Sequence, residues 1–170
     1  MTIQSRRTLL QTAAAACVPT LSFAQNSQSA NFVPQSTVTW SQLDLINGDT
    51  IKYAQLRGQV LVTYFWASWC PFCAEQSPEI DKLFTNFQSK GLYVLGVSVD
   101  KDMQAAKTYL KKHNYRFPST WFDTRGKTEL QKPPGIPFVM VYNKSGQLVQ
   151  QEKGQLFAED VQALSRWING

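Results

Sequence analysis

The sequence predicts an α/β domain: a central mixed sheet with helices on both faces, preceded by an N-terminal β-hairpin. Three observations point there. Residues 60–66 (Val-Leu-Val-Thr-Tyr-Phe-Trp) and 92–99 are continuous apolar runs, as suits strands covered on both faces. Helical patterns follow each run, so the first two long strands should be parallel and joined by a right-handed crossover. A Cys-x-x-Cys pair, Cys70-Pro71-Phe72-Cys73, stands where the first run meets the first helix. With 170 residues, 43% of them hydrophobic and 12% aromatic, the chain can bury one sizeable core without needing a second domain.

Residues 1–24 have a basic start (Arg6, Arg7), an apolar middle and a small-x-small ending, Ser22-Phe23-Ala24, which reads as a cleavable export signal. Ser5-Arg6-Arg7-Thr8-Leu9-Leu10 is similar to a twin-arginine signal, and an ordinary secretory leader fits equally well. Cys17 follows three alanines, as at a lipoprotein processing site, but lacks the bulky apolar residue three positions earlier; it is expected to leave with the leader. Residues 25–37 are polar and read as a flexible linker, and the domain is expected to span 38–170. Within it, residues 38–45 and 50–53 flank Asn47-Gly48, a strong hairpin turn.

From Pro71 the pattern is helical, with Ile80, Leu83, Phe84 and Phe87 on one stripe and Pro78 placed to kink it. Asp100 is expected to cap the next helix, which turns Met103, Ala106 and Leu110 inward. Residues 120–122 read as a short strand and 123–135 as a loop. Residues 138–142 and 147–153 read as an antiparallel hairpin across Asn143-Lys144-Ser145-Gly146. A last helix over 158–168 should bury Val161, Leu164 and Ile168.

Cysteine and charge usage bound the function. Cleavage after Ala24 leaves two of the three cysteines, the count expected of an exported protein whose single disulfide is the working one. It also removes two arginines and no acid, so the formal charge of +5 becomes +3, too mildly basic to suggest nucleic acid. No later run is long enough to span a membrane.

Read alone, the cysteine pair permits redox chemistry or metal binding. Its surroundings resemble the exported TlpA-like branch of the thioredoxin superfamily. The resemblance covers residues 38–170 and rests on two segments. Phe65-Trp66-Ala67-Ser68-Trp69-Cys70-Pro71-Phe72-Cys73, with Pro78 five residues on, is similar to the family's active-site strand and first helix. Gly135-Ile136-Pro137-Phe138 is similar to the segment that presents its cis-proline.

The resemblance implies a thioredoxin fold, a cis bond at Ile136-Pro137, and an Ile136 backbone that pairs briefly with an extended substrate. It implies protein thiol-disulfide oxidoreductase activity with Cys70 as exposed nucleophile and Cys73 as the more buried resolving thiol. Trp69, Pro71 and Phe72 would contact substrate beside Ile136 and Pro137. The Cys70 sulfur should face the N–H groups of Phe72 and Cys73, since Pro71 has none. Beyond the redox-active disulfide no cofactor or metal is expected, and the mature chain should be a monomer.

Two departures from the family concern the proton. Thioredoxins carry a buried Asp six residues before the first cysteine, where this chain has Tyr64; many TlpA-like reductases carry a Glu three after the second, where it has Gln76. Glu75 becomes the possible proton relay if its helix turns it inward. No histidine lies between the cysteines to favour a strong oxidant, and Pro71-Phe72 resembles the glutaredoxin dipeptide, whose potentials lie about −200 to −230 mV. A periplasmic reductase is therefore expected, serving cytochrome c maturation or other exported thiols and drawing electrons from a membrane transporter of the DsbD type.

The rivals are a disulfide-forming oxidase, a Cu(I)-binding protein using both thiols, and an interaction module docking through Lys107, Lys111 and Lys112. Those lysines read as a solvated helix face, and His113, the only histidine, as a solvated residue at the helix end.

Overall fold

The computed structural model describes residues 35–123 and 129–170. Its elements run β1 (Gln42–Asp44), β2 (Thr50–Lys52), β3 (Val60–Trp66), α1 (Pro71–Phe87), β4 (Leu92–Ser98), α2 (Met103–His113), β5 (Ser119–Trp121), β6 (Phe138–Tyr142), β7 (Leu148–Lys153) and α3 (Ala158–Ala163). Short 3-10 turns cover Tyr53–Leu56, Gln88–Lys90 and Leu164–Asn169. The export segment 1–24, with Arg6, Arg7 and Cys17, lies outside the described residues, as do residues 124–128 of the loop expected at 123–135.

The main sheet is five-stranded and mixed, in the order β5-β4-β3-β6-β7. β3 lies parallel to β4 and β4 to β5, while β6 runs antiparallel to both β3 and β7. All seven residues of β3 are buried, as its unbroken apolar run requires. β1 and β2 pair as the hairpin around Asn47-Gly48.

Both faces of the sheet are covered, though unequally. Val60, Val62, Tyr64 and Trp66 pack into one cluster with Ile80, Leu83 and Phe84 of α1, Ala106 of α2, and Val161 and Leu164 beyond. Leu61 and Phe65 face a second cluster with Trp40, Leu43 and Leu56 from the N-terminal segment, and Phe138, Met140 and Tyr142 from β6. The three α-helices all contribute to the first cluster, while the N-terminal segment, including Leu56 of the 3-10 turn Tyr53–Leu56, contributes to the second. The strand order explains it. Going from β3 to β4 to β5 the chain steps twice in the same direction, and two right-handed crossovers in one direction place both helices on the same side.

Other expectations shift locally. Asp102, not Asp100, caps α2, its carboxylate accepting the Gln104 N–H at 3.0 Å. Met103 is exposed rather than inward, because α2 begins there and its buried face is set by Ala106. The last helix tightens into a 3-10 turn at Leu164 yet still buries Val161 and Leu164. α1 runs as one helix from Pro71 to Phe87 with Pro78 inside it. Ordered pairing begins ahead of residue 38: the Ser36 carbonyl accepts the Leu148 N–H at 2.8 Å, and Thr37 bridges Gln147.

Candidate active site

β3 ends at Trp66, whose carbonyl accepts the Val99 N–H at 2.8 Å and so ties the ends of β3 and β4 together. The chain then turns over Ala67, Ser68 and Trp69 into α1. Cys70 is the N-cap residue and Pro71 takes the first helical position, where its missing N–H leaves no bond unmade. The Cys70 sulfur accepts the Cys73 N–H at 3.2 Å, the cap interaction expected for a thiol placed at a helix start. Cys70 and Cys73 are joined as a disulfide, with Cα atoms 5.2 Å apart.

The expected exposure of Cys70 is corrected. In the disulfide form Cys70 is 4% exposed and Cys73 1%, so the order holds but both are buried. What projects into solvent are the flanking rings: Trp69 is 65% exposed and Phe72 57%. Pro71 is exposed with them.

Asp100 anchors the turn. It is 2% exposed, and its carboxylate accepts the Ser68 N–H at 3.1 Å, the Ser68 hydroxyl at 2.7 Å and the Ser98 hydroxyl at 2.8 Å. Its carbonyl accepts the Trp121 indole N–H at 2.8 Å. A buried carboxylate therefore fixes the residue two positions ahead of Cys70 through hydroxyls and a backbone N–H. An acid just past an apolar strand is the signal that sequence reading spent on a helix cap.

Around Cys73 the polar groups are neutral. The Tyr64 hydroxyl lies 3.2 Å from the Cys73 carbonyl and 3.1 Å from the Ser77 oxygen, while Ser77 donates to that same carbonyl at 2.7 Å. Burial pushes the Tyr64 phenol well above its ordinary pKa. Gln76 is buried, and its Oε1 accepts the Leu156 N–H at 2.8 Å. Glu75 does not turn inward: it is exposed and accepts from Gln155 Nε2 at 2.6 Å, so its part as proton relay is corrected. The helical period that buries Cys73, Gln76 and Ser77 carries Glu75 to the outer face.

Phe65 pairs with Phe138, which sets Gly135-Ile136-Pro137 beside the chain leading to Cys70. The Ile136-Pro137 bond is cis. Pro137 is buried, and its carbonyl accepts the Gly154 N–H at 2.9 Å; Ile136 is half-buried, and among the described residues its backbone takes no hydrogen bond. Residues 154–156 thus bridge Pro137 and α1, and they carry exposed Phe157 with them. Sequence reading gave these residues no part.

Elsewhere, His113 is exposed and stacks on Tyr115 at 5.4 Å between ring centres. Among the described residues no three His, Cys, Asp or Glu side chains gather as a metal site would need, and no helix is long and apolar enough to cross a membrane.

A thioredoxin-like sheet carrying a Cys-x-x-Cys disulfide at the start of its first helix defines a thiol-disulfide oxidoreductase of the thioredoxin superfamily. The AhpC/TSA family profile matches residues 32–153, and the chain belongs to that family. Thiol-disulfide oxidoreductase ResA of Bacillus subtilis is 24% identical over 135 residues, covering 79% of this chain and 70% of that protein. A thiol:disulfide interchange protein of the thioredoxin family from Chlorobium tepidum superposes with a TM-score of 0.70 at 21% identity, over 83% of this chain and 100% of that one. StoA from Bacillus subtilis gives 0.62 at 24% identity, over 72% of this chain and 93% of that one. The TlpA-like resemblance agrees with these relatives.

Proposed function

We propose that the chain is an exported reductase of protein disulfides, acting on other exported thiols such as those of cytochrome c precursors. One observation carries the reading: the Cys70 sulfur is capped by the Cys73 N–H at 3.2 Å, its sequence neighbours Trp69 and Phe72 are exposed, and the Phe65–Phe138 pairing brings the cis Ile136-Pro137 bond to the end of the same strand. A cysteine-bearing loop can lie across Trp69 and Phe72 and pair with Ile136 like an added strand.

In the reduced enzyme the Cys70 thiolate attacks a substrate disulfide. A Cys70–substrate bond forms, and the other substrate sulfur leaves as a thiolate that takes a proton from water. The Cys73 thiolate then attacks the Cys70 sulfur, closing the Cys70–Cys73 disulfide and releasing the second substrate thiol. The substrate gains two electrons and the enzyme loses them. A membrane thiol donor of the DsbD type would restore the dithiol, and no cofactor beyond the cysteine pair is required.

The direction is supported by charge. A lowered Cys70 pKa stabilises the reduced form and makes a protein oxidising. Here Pro71 and Phe72 bring no cation, and the buried carboxylate of Asp100 holds the same turn. The leader supports export.

Equilibration of residues 25–170 with glutathione tests the direction, and a potential near about −120 mV would overturn it. Cys73→Ser should accumulate mixed disulfides with exported proteins, while Cys70→Ala should abolish exchange. Unchanged turnover in the Cys70 variant, or tight Cu(I) binding without reductase activity, would reject the reading.

A further inference from the structure

A buried side-chain amide beside the redox pair has an unused donor. Gln76 is 1% exposed, its Oε1 is fixed by the Leu156 N–H at 2.8 Å, and among the described residues its Nε2 has no partner. A buried N–H group without an acceptor is costly and uncommon, so a second state that supplies the acceptor is a physical reason for it. Gln76 lies three residues after Cys73 on the buried face of α1, where i,i+3 side chains are neighbours. Helical side chains lean toward the N-terminus, which brings the Gln76 amide back over the turn that holds Cys73.

The other polar groups near Cys73 are engaged. The Tyr64 and Ser77 hydroxyls lie within hydrogen-bond distance of the Cys73 carbonyl and of each other. The Cys73 N–H is given to the Cys70 sulfur. Trp66 Nε1 is likewise buried and unpartnered, but its ring packs against Tyr109 and Phe117. Gln76 Nε2 is therefore the uncommitted donor on the buried helix face that Gln76 shares with Cys73, with the amide oriented from its oxygen end. A disulfide sulfur is a poor acceptor, whereas a thiolate is a strong one.

We propose that Gln76 is a catalytic residue for resolution: its Nε2 donates a hydrogen bond to the Cys73 thiolate of the reduced enzyme and stabilises that ion. The amide takes no proton itself. The Cys73 proton goes to solvent, the thiolate attacks Cys70 of the mixed disulfide, the Cys70–Cys73 bond forms, and the substrate sulfur departs with the electron pair. A neutral amide thereby does by donation what a neighbouring carboxylate would do by accepting the proton.

This inference deepens the proposed function and rests on Cys73 being the resolving thiol. In a Cys70→Ser background Cys73 is the only thiol of residues 25–170, and its ionisation is read directly from thiolate absorbance near about 240 nm. One hydrogen bond to a charged acceptor predicts that Gln76→Met weakens Cys73 ionisation at least about tenfold, or one pKa unit. The Gln76 side-chain amide signals should also move in ¹⁵N NMR with the Cys73 midpoint, a measurement that needs no change at residue 76. In the intact pair, the glutathione equilibrium of Gln76→Met should match that of the native protein well below the Cys73 pKa and shift about tenfold toward the disulfide above it.

An unchanged Cys73 midpoint in Gln76→Met, or amide signals that ignore the titration, overturns the inference. Failure of mixed-disulfide trapping in Cys73→Ser would instead overturn the assigned cysteine roles, so the two failures are distinct.

Discussion

Removing the phenol with Tyr64→Phe asks whether the site needs an acid in the strand before its first cysteine. The hydroxyl lies 3.2 Å from the Cys73 carbonyl and 3.1 Å from Ser77. Neither partner is orphaned by its loss, because Ser77 still donates to that carbonyl at 2.7 Å. The cost should be one net neutral hydrogen bond, about 1 kcal/mol, or roughly 2–4 °C in Tm for a domain of this size.

Burial raises the phenol pKa, so Tyr64 keeps its proton throughout neutral pH and cannot act as the base there. Stopped-flow exchange with dithiothreitol between about pH 5 and 9 should accordingly show the same midpoints in Tyr64→Phe and native protein. The linkage sign adds a second reading. A pKa raised in the folded state contributes stability that is complete below the unfolded value, near about 10, and lost as pH rises through the folded one. Native protein should therefore lose stability above about pH 10 more steeply than Tyr64→Phe. A rate midpoint that vanishes with the hydroxyl, or destabilisation beyond about 3 kcal/mol, would refute this account of Tyr64.

Asp100→Ala should cost about 3 kcal/mol in urea unfolding, because Ser68 and Ser98 lose their buried acceptor, and Asp100→Asn about half of that. Equal costs for the two would show that the carboxylate's acceptor geometry does not matter. Gly96→Ala should cost about 2 kcal/mol by the same measurement, since a Cβ there would lie 2.9 Å from the Phe117 ring; a neutral substitution would mean that β4 and β5 can part freely. Trp69→Ala should leave stability within about 0.5 kcal/mol and glutathione exchange unchanged. It should slow reduction of a protein disulfide several-fold, and parallel loss with both substrates would remove Trp69 from the docking surface.

What the sequence made legible was mostly local. The unbroken run at 60–66 could only be a buried strand, and the Ile80, Leu83, Phe84 stripe could only face it. Asn47-Gly48 marked the hairpin, and Cys70 with Pro71 marked the start of α1. The less legible features depend on partners distant in sequence. An acid three residues before a helix looks like a cap, and only the arrival of Ser68, 32 positions earlier, makes Asp100 the anchor of the cysteine turn. Glu75 and Gln76 are adjacent in sequence, and the angle of the helix against residues 155–156 decides which is buried. Sidedness depended on strand order, which no periodicity within α2 reveals.

The site that results is electrostatically lopsided, and this bears on how it handles protons. Cys70 stands at the helix start, with a backbone N–H on its sulfur and the Asp100 carboxylate holding the turn ahead of it. Those influences act on a developing thiolate with opposite sign. Cys73 is surrounded instead by Tyr64, Ser77 and Gln76, neutral groups of which none takes up a proton at neutral pH. With Glu75 facing solvent, resolution should be limited by how often the Cys73 thiol ionises without a neighbouring side-chain base. The pH dependence of turnover should then follow the two thiols alone, and a variant that restores a buried carboxylate at residue 76 should add a third midpoint that the native enzyme lacks.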